Sequence, residues 1–291
     1  SQNMSKVFRQ MFEEKYMRFP EGKTKAVTFS YDDGVKADRH LLSIFDKYGL
    51  KGTFNLNSSL FDCVNWHNRM DEEETYAAFK DTGHEIALHG ARHIFLNKVP
   101  LAEAVREVVL NRDWLEHKFG RIINGMAYAY NGFNDDVKRV LADLGVKYAR
   151  TTKSTYSFAL PRDMLEWNPT LHHREADKLI ELADKFISSS PDAEFKNREP
   201  WLFYIWGHSY EFDDDDNWNL IEEAAQKLSG RADTWYATNG EICDYINAYR
   251  SLVFSLDGER VFNPAYMTVW LEIRGKTYAI GPGETVLFDV E

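Results

Sequence analysis

Seven short apolar runs recur along the first 240 residues: AVTFSY at 26–31, GTFNLN at 52–57, HEIALHG at 84–90, GMAYAY at 125–130, KYART at 147–151, WLFYIWGH at 201–208 and TWYAT at 234–238. Each has the length and the β-branched or aromatic content of a buried parallel strand. Between them the period changes to that of a helix. Residues 38–48 carry Leu41, Leu42, Ile44 and Phe45 on one face and stop before Gly49. Residues 101–119 stop before Gly120, and 134–144 open on Asn-Asp-Asp and close at Gly145. A cap at the start and a glycine just past the end are helix boundary signals. Repeated strand–helix alternation predicts a parallel α/β architecture, either a barrel or an open sheet.

After Arg250 the pattern changes to short β-like runs at 252–256, 260–262, 267–273, 277–280 and 285–290, broken by Asp257-Gly258, Arg274-Gly275 and Gly281-Pro282-Gly283. The expected organisation is an N-terminal extension over 1–22, a catalytic α/β domain over 23–250 and a small β appendage over 251–291. Forty residues bury too little surface to fold readily alone. With 291 residues, 44% of them hydrophobic, the chain can support one large core.

A net charge of −11 makes nucleic acid or an anionic membrane a poor partner, because both need a positive surface. No run approaches the roughly 20 apolar residues of a membrane span. Cys63 and Cys243 form no CxxC pair, so they read as two buried free thiols of a reducing compartment. A start at Met4 would make the protein cytoplasmic, and a trimmed signal peptide would make it secreted or part of the cell envelope. Oligomeric state is unmarked in the sequence.

Three constellations carry chemistry, each at the end of an apolar run. Thr28-Phe29-Ser30-Tyr31-Asp32-Asp33-Gly34 ends a strand in adjacent carboxylates, which point in different directions. One can bind a metal while the other accepts a proton. His89-Gly90-Ala91-Arg92-His93 places two imidazoles four residues apart, and on one helical turn they would face the same ion. With Asp33 as third ligand, a coordination position stays open for water. Trp206-Gly207-His208 supplies a late histidine able to protonate a leaving group. The acidic run 213–216 reads as a solvated loop ahead of a helix at 218–228.

Together these segments resemble the polysaccharide deacetylases of carbohydrate esterase family 4. TFSYDDG is similar to that family's TFDDG-type first motif, GHEI and HGARH to its second, and His208 to its final catalytic histidine. The resemblance spans about residues 23–250. It implies a distorted (β/α) barrel of about seven parallel strands, followed by the β appendage. It also implies a divalent metal on Asp33, His89 and His93, zinc first and cobalt, nickel or manganese as alternatives. Asp32 would be the general base, His208 the general acid, and the backbone N–H of Tyr130 an oxyanion donor. The implied substrate is an N-acetylated saccharide, from which acetate is released.

Departures are visible. The third motif, here Ala127-Tyr128-Ala129-Tyr130, lacks the family's arginine, so Asp32 has no identified partner. Gly90 stands where a serine is usual, Tyr31 widens the first motif, and Leu165-Glu166-Trp167 matches the fourth only weakly. Tyr128, Tyr130, Trp167, Trp206 and Tyr210 are candidate sugar-stacking walls, with Trp66 and His67 near the cleft. The alternatives are an amide or cyclic-imide hydrolase on the same scaffold and a non-catalytic carbohydrate-binding relative.

Overall fold

The structure, a computed structural model, describes residues 14–194 and 197–288. The expected extension is therefore seen only from residue 14, Met4 lies outside the described residues, and the last run is described as far as 288. The strands are β1 (Tyr16–Arg18), β2 (Lys25–Asp32), β3 (Gly52–Leu56), β4 (Glu85–Leu88), β5 (Gly125–Ala127), β6 (Tyr148–Arg150), β7 (Leu171–His172), β8 (Trp201–Gly207), β9 (Thr234–Tyr236), β10 (Val253–Phe254), β11 (Arg260–Phe262), β12 (Val269–Ile273), β13 (Lys276–Ile280) and β14 (Thr285–Leu287).

The main sheet is parallel throughout, in the order β6-β5-β4-β3-β2-β8-β7, with β9 lying beside the start of β2. β2 is its centre. All eight of its residues are buried, because β8 flanks one side and β9 and then β3 flank the other. The segment after β6 brings the sheet round on itself. Trp167 exchanges backbone hydrogen bonds with Ala149 and Thr151 on the β6 side, and Thr170 and His173 bond Tyr204 and Trp206 of β8. The result is the distorted (β/α) barrel. Seven expected runs all form strands, and β7, two residues long, adds one that no apolar run marks.

Helices Asp38–Tyr48, Leu101–Phe119, Asp135–Asp143 and Trp218–Leu228 form where the sequence places them, to within a residue. Glu72–Phe79, Ala176–Ser188 and Asn239–Arg250 complete the outer layer. Residues 213–216 are a correction to the expected loop, since a short helix, Tyr210–Asp214, takes up half of the acidic run. Burial of Phe212 against the core folds that turn down onto the barrel.

Two small antiparallel sheets follow, β1-β12-β13 and β10-β11-β14. β1 pairs with β12 from Tyr16↔Glu272 to Arg18↔Trp270, so described residues from both ends of the chain meet in one sheet. The two cysteines are free, but Cys63 is exposed in the loop after β3 rather than buried. No helix among the described residues is long and apolar enough to cross a membrane.

Candidate active site

In a parallel barrel the carboxyl ends of the strands converge at one face, where loops are free to vary. Asp32 closes β2, His89 follows β4, the Tyr128–Asn131 turn follows β5, Arg150 closes β6 and His208 follows β8. Residues remote in sequence thus share one cleft floor.

Asp33, His89 and His93 form a tight group. Asp33 Oδ1 lies 3.2 Å from His89 Nε2 and 3.3 Å from His93 Nε2. His89 Nδ1–H donates to the Ala127 carbonyl at 2.8 Å, which leaves the Nε2 lone pair facing the carboxylate. Two lone-pair-bearing atoms aimed at each other in a buried site repel unless a cation lies between them. Neither Asp33 Oδ1 nor His89 Nε2 has a hydrogen-bond partner. For ligands about 2.0–2.2 Å from one ion in tetrahedral geometry, neighbouring donor atoms lie roughly 3.3–3.5 Å apart. The residues therefore fit a divalent metal, and an outer carbonyl on a ligating imidazole is the usual way its tautomer is fixed.

The expected helical turn through HGARH does not form. Gly90 (φ 82°) and His93 (φ 59°) are left-handed, so 89–93 is a loop and the two rings meet edge to face with centroids 4.6 Å apart. A side chain at Gly90 would crowd the Glu107 carboxylate as well as strain the backbone. Asn111 holds the loop by accepting from both His89 N and Gly90 N at 3.0 Å, and Glu107 accepts from Arg92 N and Arg92 Nε. Asn57 donates to the His89 and Gly90 carbonyls. Asp33 (φ 86°) is itself left-handed, and buried Arg69 braces it by donating to its carbonyl at 2.6 Å.

The missing partner of Asp32 is Arg150. Arg150 donates in parallel, Nη1 to Oδ1 at 2.9 Å and Nη2 to Oδ2 at 2.7 Å, and Asn55 donates to Oδ1 at 2.9 Å. Burial by itself would push the Asp32 carboxyl up, but the charge and hydrogen bonds of Arg150, with His89 and His208, together outweigh it and hold the group below the ordinary carboxylate range. Arg150 belongs to the KYART run; an arginine inside an apolar strand was the available signal.

His208 lies with Nε2 3.8 Å from Asp33 Oδ2 and Nδ1 3.1 Å from Glu211 Oε1. Burial lowers its pKa, but Glu211, Asp33 and Asp32 together raise it to about 9. Glu211, three residues on and without a sequence signature of its own, accepts also from His172 Nε2 at 2.8 Å. Gly207 is required because a Cβ there would fall 2.2 Å from the His173 ring.

The aromatic candidates divide. Tyr130, 50% exposed, stacks on Phe95 and meets His93 edge-on, and Tyr210 stacks on His67 and His208. Trp66, 44% exposed, also meets His93 edge-on. Trp206 is buried between His172 and the Arg150 guanidinium. Tyr128 and Trp167 are corrections: both are interior, Tyr128 bonded to the Leu165 carbonyl and stacked on Phe133, Trp167 packed on Tyr148 and Tyr204. They support the floor from below. A cavity of about 650 Å³ lies away from this face, lined by Met17, Phe158, Trp201 and Tyr249. None of the residues of this constellation lines it.

The polysaccharide deacetylase family profile matches residues 6–149, which include both aspartates, both metal-type histidines and Tyr130. No curated protein matches the chain in sequence. Among solved structures, a candidate polysaccharide deacetylase of Mycobacterium smegmatis is 17% identical, with a TM-score of 0.58 over 82% of this chain and 95% of that one. A family 4 carbohydrate esterase of Streptomyces lividans, solved with acetate, is 15% identical (TM-score 0.46, 71% and 88% covered). A family 4 pseudoenzyme of Bacillus anthracis is 12% identical (TM-score 0.48, 78% and 68% covered). The M. smegmatis structure shares the fold. The polysaccharide deacetylase profile thus covers the stretch that carries the first two motifs, just under half of the chain, and over it the chain is similar to that family.

Proposed function

We propose that the protein is a metal-dependent deacetylase that removes acetyl groups from an N-acetylated saccharide, with Asp33, His89 and His93 as metal ligands. Family and fold indicate polysaccharide deacetylase activity. The observation that carries the finer reading is the set of buried, partnerless Asp33 Oδ1 and His89 Nε2 beside His93 Nε2, within 3.3 Å of the same oxygen. A divalent ion bound there would supply Lewis-acid polarisation of the acetyl carbonyl and would acidify a water. Zinc suits two imidazoles and a carboxylate, as do cobalt, nickel and manganese to lesser degrees.

Asp32, kept ionised by Arg150, accepts the proton of the attacking water. Its second face is the side toward His89, with Oδ2 3.8 Å from Nε2. His208, charged and held by Glu211, donates a proton to the departing nitrogen, so that acetate and a free amine leave. The Tyr130 N–H supports the developing oxyanion, presented by a left-handed residue (φ 55°) in the turn after β5. Exposed Trp66, Tyr130 and Tyr210 offer ring faces to a sugar.

The test is acetate release from acetylated chitooligosaccharides or peptidoglycan fragments by the metal-loaded protein. Release that is lost in Asp32→Asn supports the reading. Hydrolysis of cyclic imides without acetate release, or sugar binding without either reaction, overturns it in favour of another hydrolase or a non-catalytic relative.

A further inference from the structure

A second group of metal-type donors stands behind His208. Three imidazoles converge on one oxygen, Glu211 Oε1: His172 Nε2 at 2.8 Å, His208 Nδ1 at 3.1 Å and His173 Nε2 at 3.4 Å. One donor atom from each of His172, His208 and Glu211 lies within 4.8 Å of the others. The His208 and His173 spacings come near the roughly 3.3–3.5 Å of donors sharing one ion in tetrahedral geometry, while the His172 contact has hydrogen-bond length and would open by about half an ångström around an ion.

An independent observation comes from His173. Its side chain is 1% exposed, yet Nε2 has no hydrogen-bond partner and is aimed at this group. Its other nitrogen, Nδ1, is 3.0 Å from the Tyr31 hydroxyl. An outer partner on one ring nitrogen with the other facing an acceptor is how proteins orient ligating histidines. Arg174 opposes a cation here, with Nη1 3.4 Å from Glu211 Oε2. It lies on the other carboxylate oxygen, and Asp215 engages the same guanidinium at 2.9 Å. Oε1 faces the imidazoles and also accepts from the His208 backbone N–H at 2.7 Å.

We infer that His172, His208 and Glu211, with buried His173 facing the same Glu211 oxygen, form a second site for a zinc-like divalent cation, and that filling it inhibits the enzyme. His208 connects the two sites, Nε2 toward Asp33 and Nδ1 toward Glu211. A cation on Nδ1 displaces the proton there into solvent and leaves a neutral metal-bound imidazole, whose remaining Nε2–H is a much weaker acid than an imidazolium. The inhibitory part rests on the function proposed above; the site itself does not.

The test is a titration of the untagged, metal-stripped chain with Zn²⁺, following bound equivalents by equilibrium dialysis and acetate release in parallel. Two equivalents are expected, the weaker one lowering acetate release at least tenfold. His172→Gln and Glu211→Gln should each remove the weaker equivalent and keep the tighter, and Asp33→Asn should do the reverse. His172 is 24% exposed, so its substitution leaves the core intact. Co²⁺ in place of Zn²⁺ gives a second readout, a visible absorption step for the second equivalent that is lost in His172→Gln. A single equivalent in the unaltered chain, or two in His172→Gln, overturns the site. Two equivalents with no acetate release at any zinc level leave the site standing and overturn the proposed function instead.

Discussion

Arg150 and Asp32 face each other across the barrel from β6 to β2, joined by two parallel hydrogen bonds of 2.9 and 2.7 Å. Both side chains are buried, Arg150 completely. A buried guanidinium–carboxylate pair is costly to break, because whichever partner remains is an uncompensated charge. The pair fixes the direction of Asp32 and keeps it ionised.

Arg150→Met keeps the bulk and removes the charge. The folded protein should lose about 3–5 kcal/mol of stability in urea unfolding. Asp32 would then titrate higher, so the acidic limb of the kcat profile moves to higher pH and kcat falls about 10²–10³-fold. Arg150→Lys should recover stability better than rate, since an ammonium cannot make the paired bonds. An unchanged acidic limb in Arg150→Met would contradict the assignment.

Asp38 offers a separate test through stability. It is fully buried, accepts from Ser209 at 2.6 Å and leaves Oδ2 unpartnered. Burial pushes its pKa up to about 7. The unfolded carboxyl titrates near 3.9, so between pH ~4 and ~7 the folded chain holds a proton that the unfolded chain has released. Stability contributed by this group is therefore lost as pH rises through that window. Asp38→Asn should abolish that loss and be more stable than the unaltered chain at pH 8, by about 2–4 kcal/mol. Parallel stability–pH curves for the two proteins would refute it.

Trp66 stands half-exposed beside His93, one face against the Arg69 guanidinium 4.9 Å from its ring centroid. If it stacks on the sugar, Trp66→Ala should raise KM about 5–30-fold, equivalent to roughly 1–2 kcal/mol, with little change in kcat. A fall in kcat at constant KM would assign it to the reaction centre instead.

The barrel was legible because its strands are continuous apolar runs and three motifs stand at their ends. What escaped depends on closure in three dimensions. Arg150 meets Asp32 only because the segment 167–173 brings β6 round toward β8. Glu211 gains meaning only when β7, too short to show as a run, carries His172 beside it. The pairing of β1 with β12 joins residues more than 250 positions apart, which no local pattern encodes. The HGARH spacing suggested the correct neighbours for the wrong reason: left-handed Gly90 and His93 bring the rings together in a loop. Aromatic content alone could not separate exposed Tyr130 from interior Tyr128 and Trp167.

The central claim concerns Asp33, His89 and His93, and acetate release before and after removal of metal tests it most directly. The unaltered protein should lose acetate release on chelation and regain it with one equivalent of Zn²⁺, while Asp33→Asn should release none in either state. Release that persists after chelation, or in Asp33→Asn, would contradict the account.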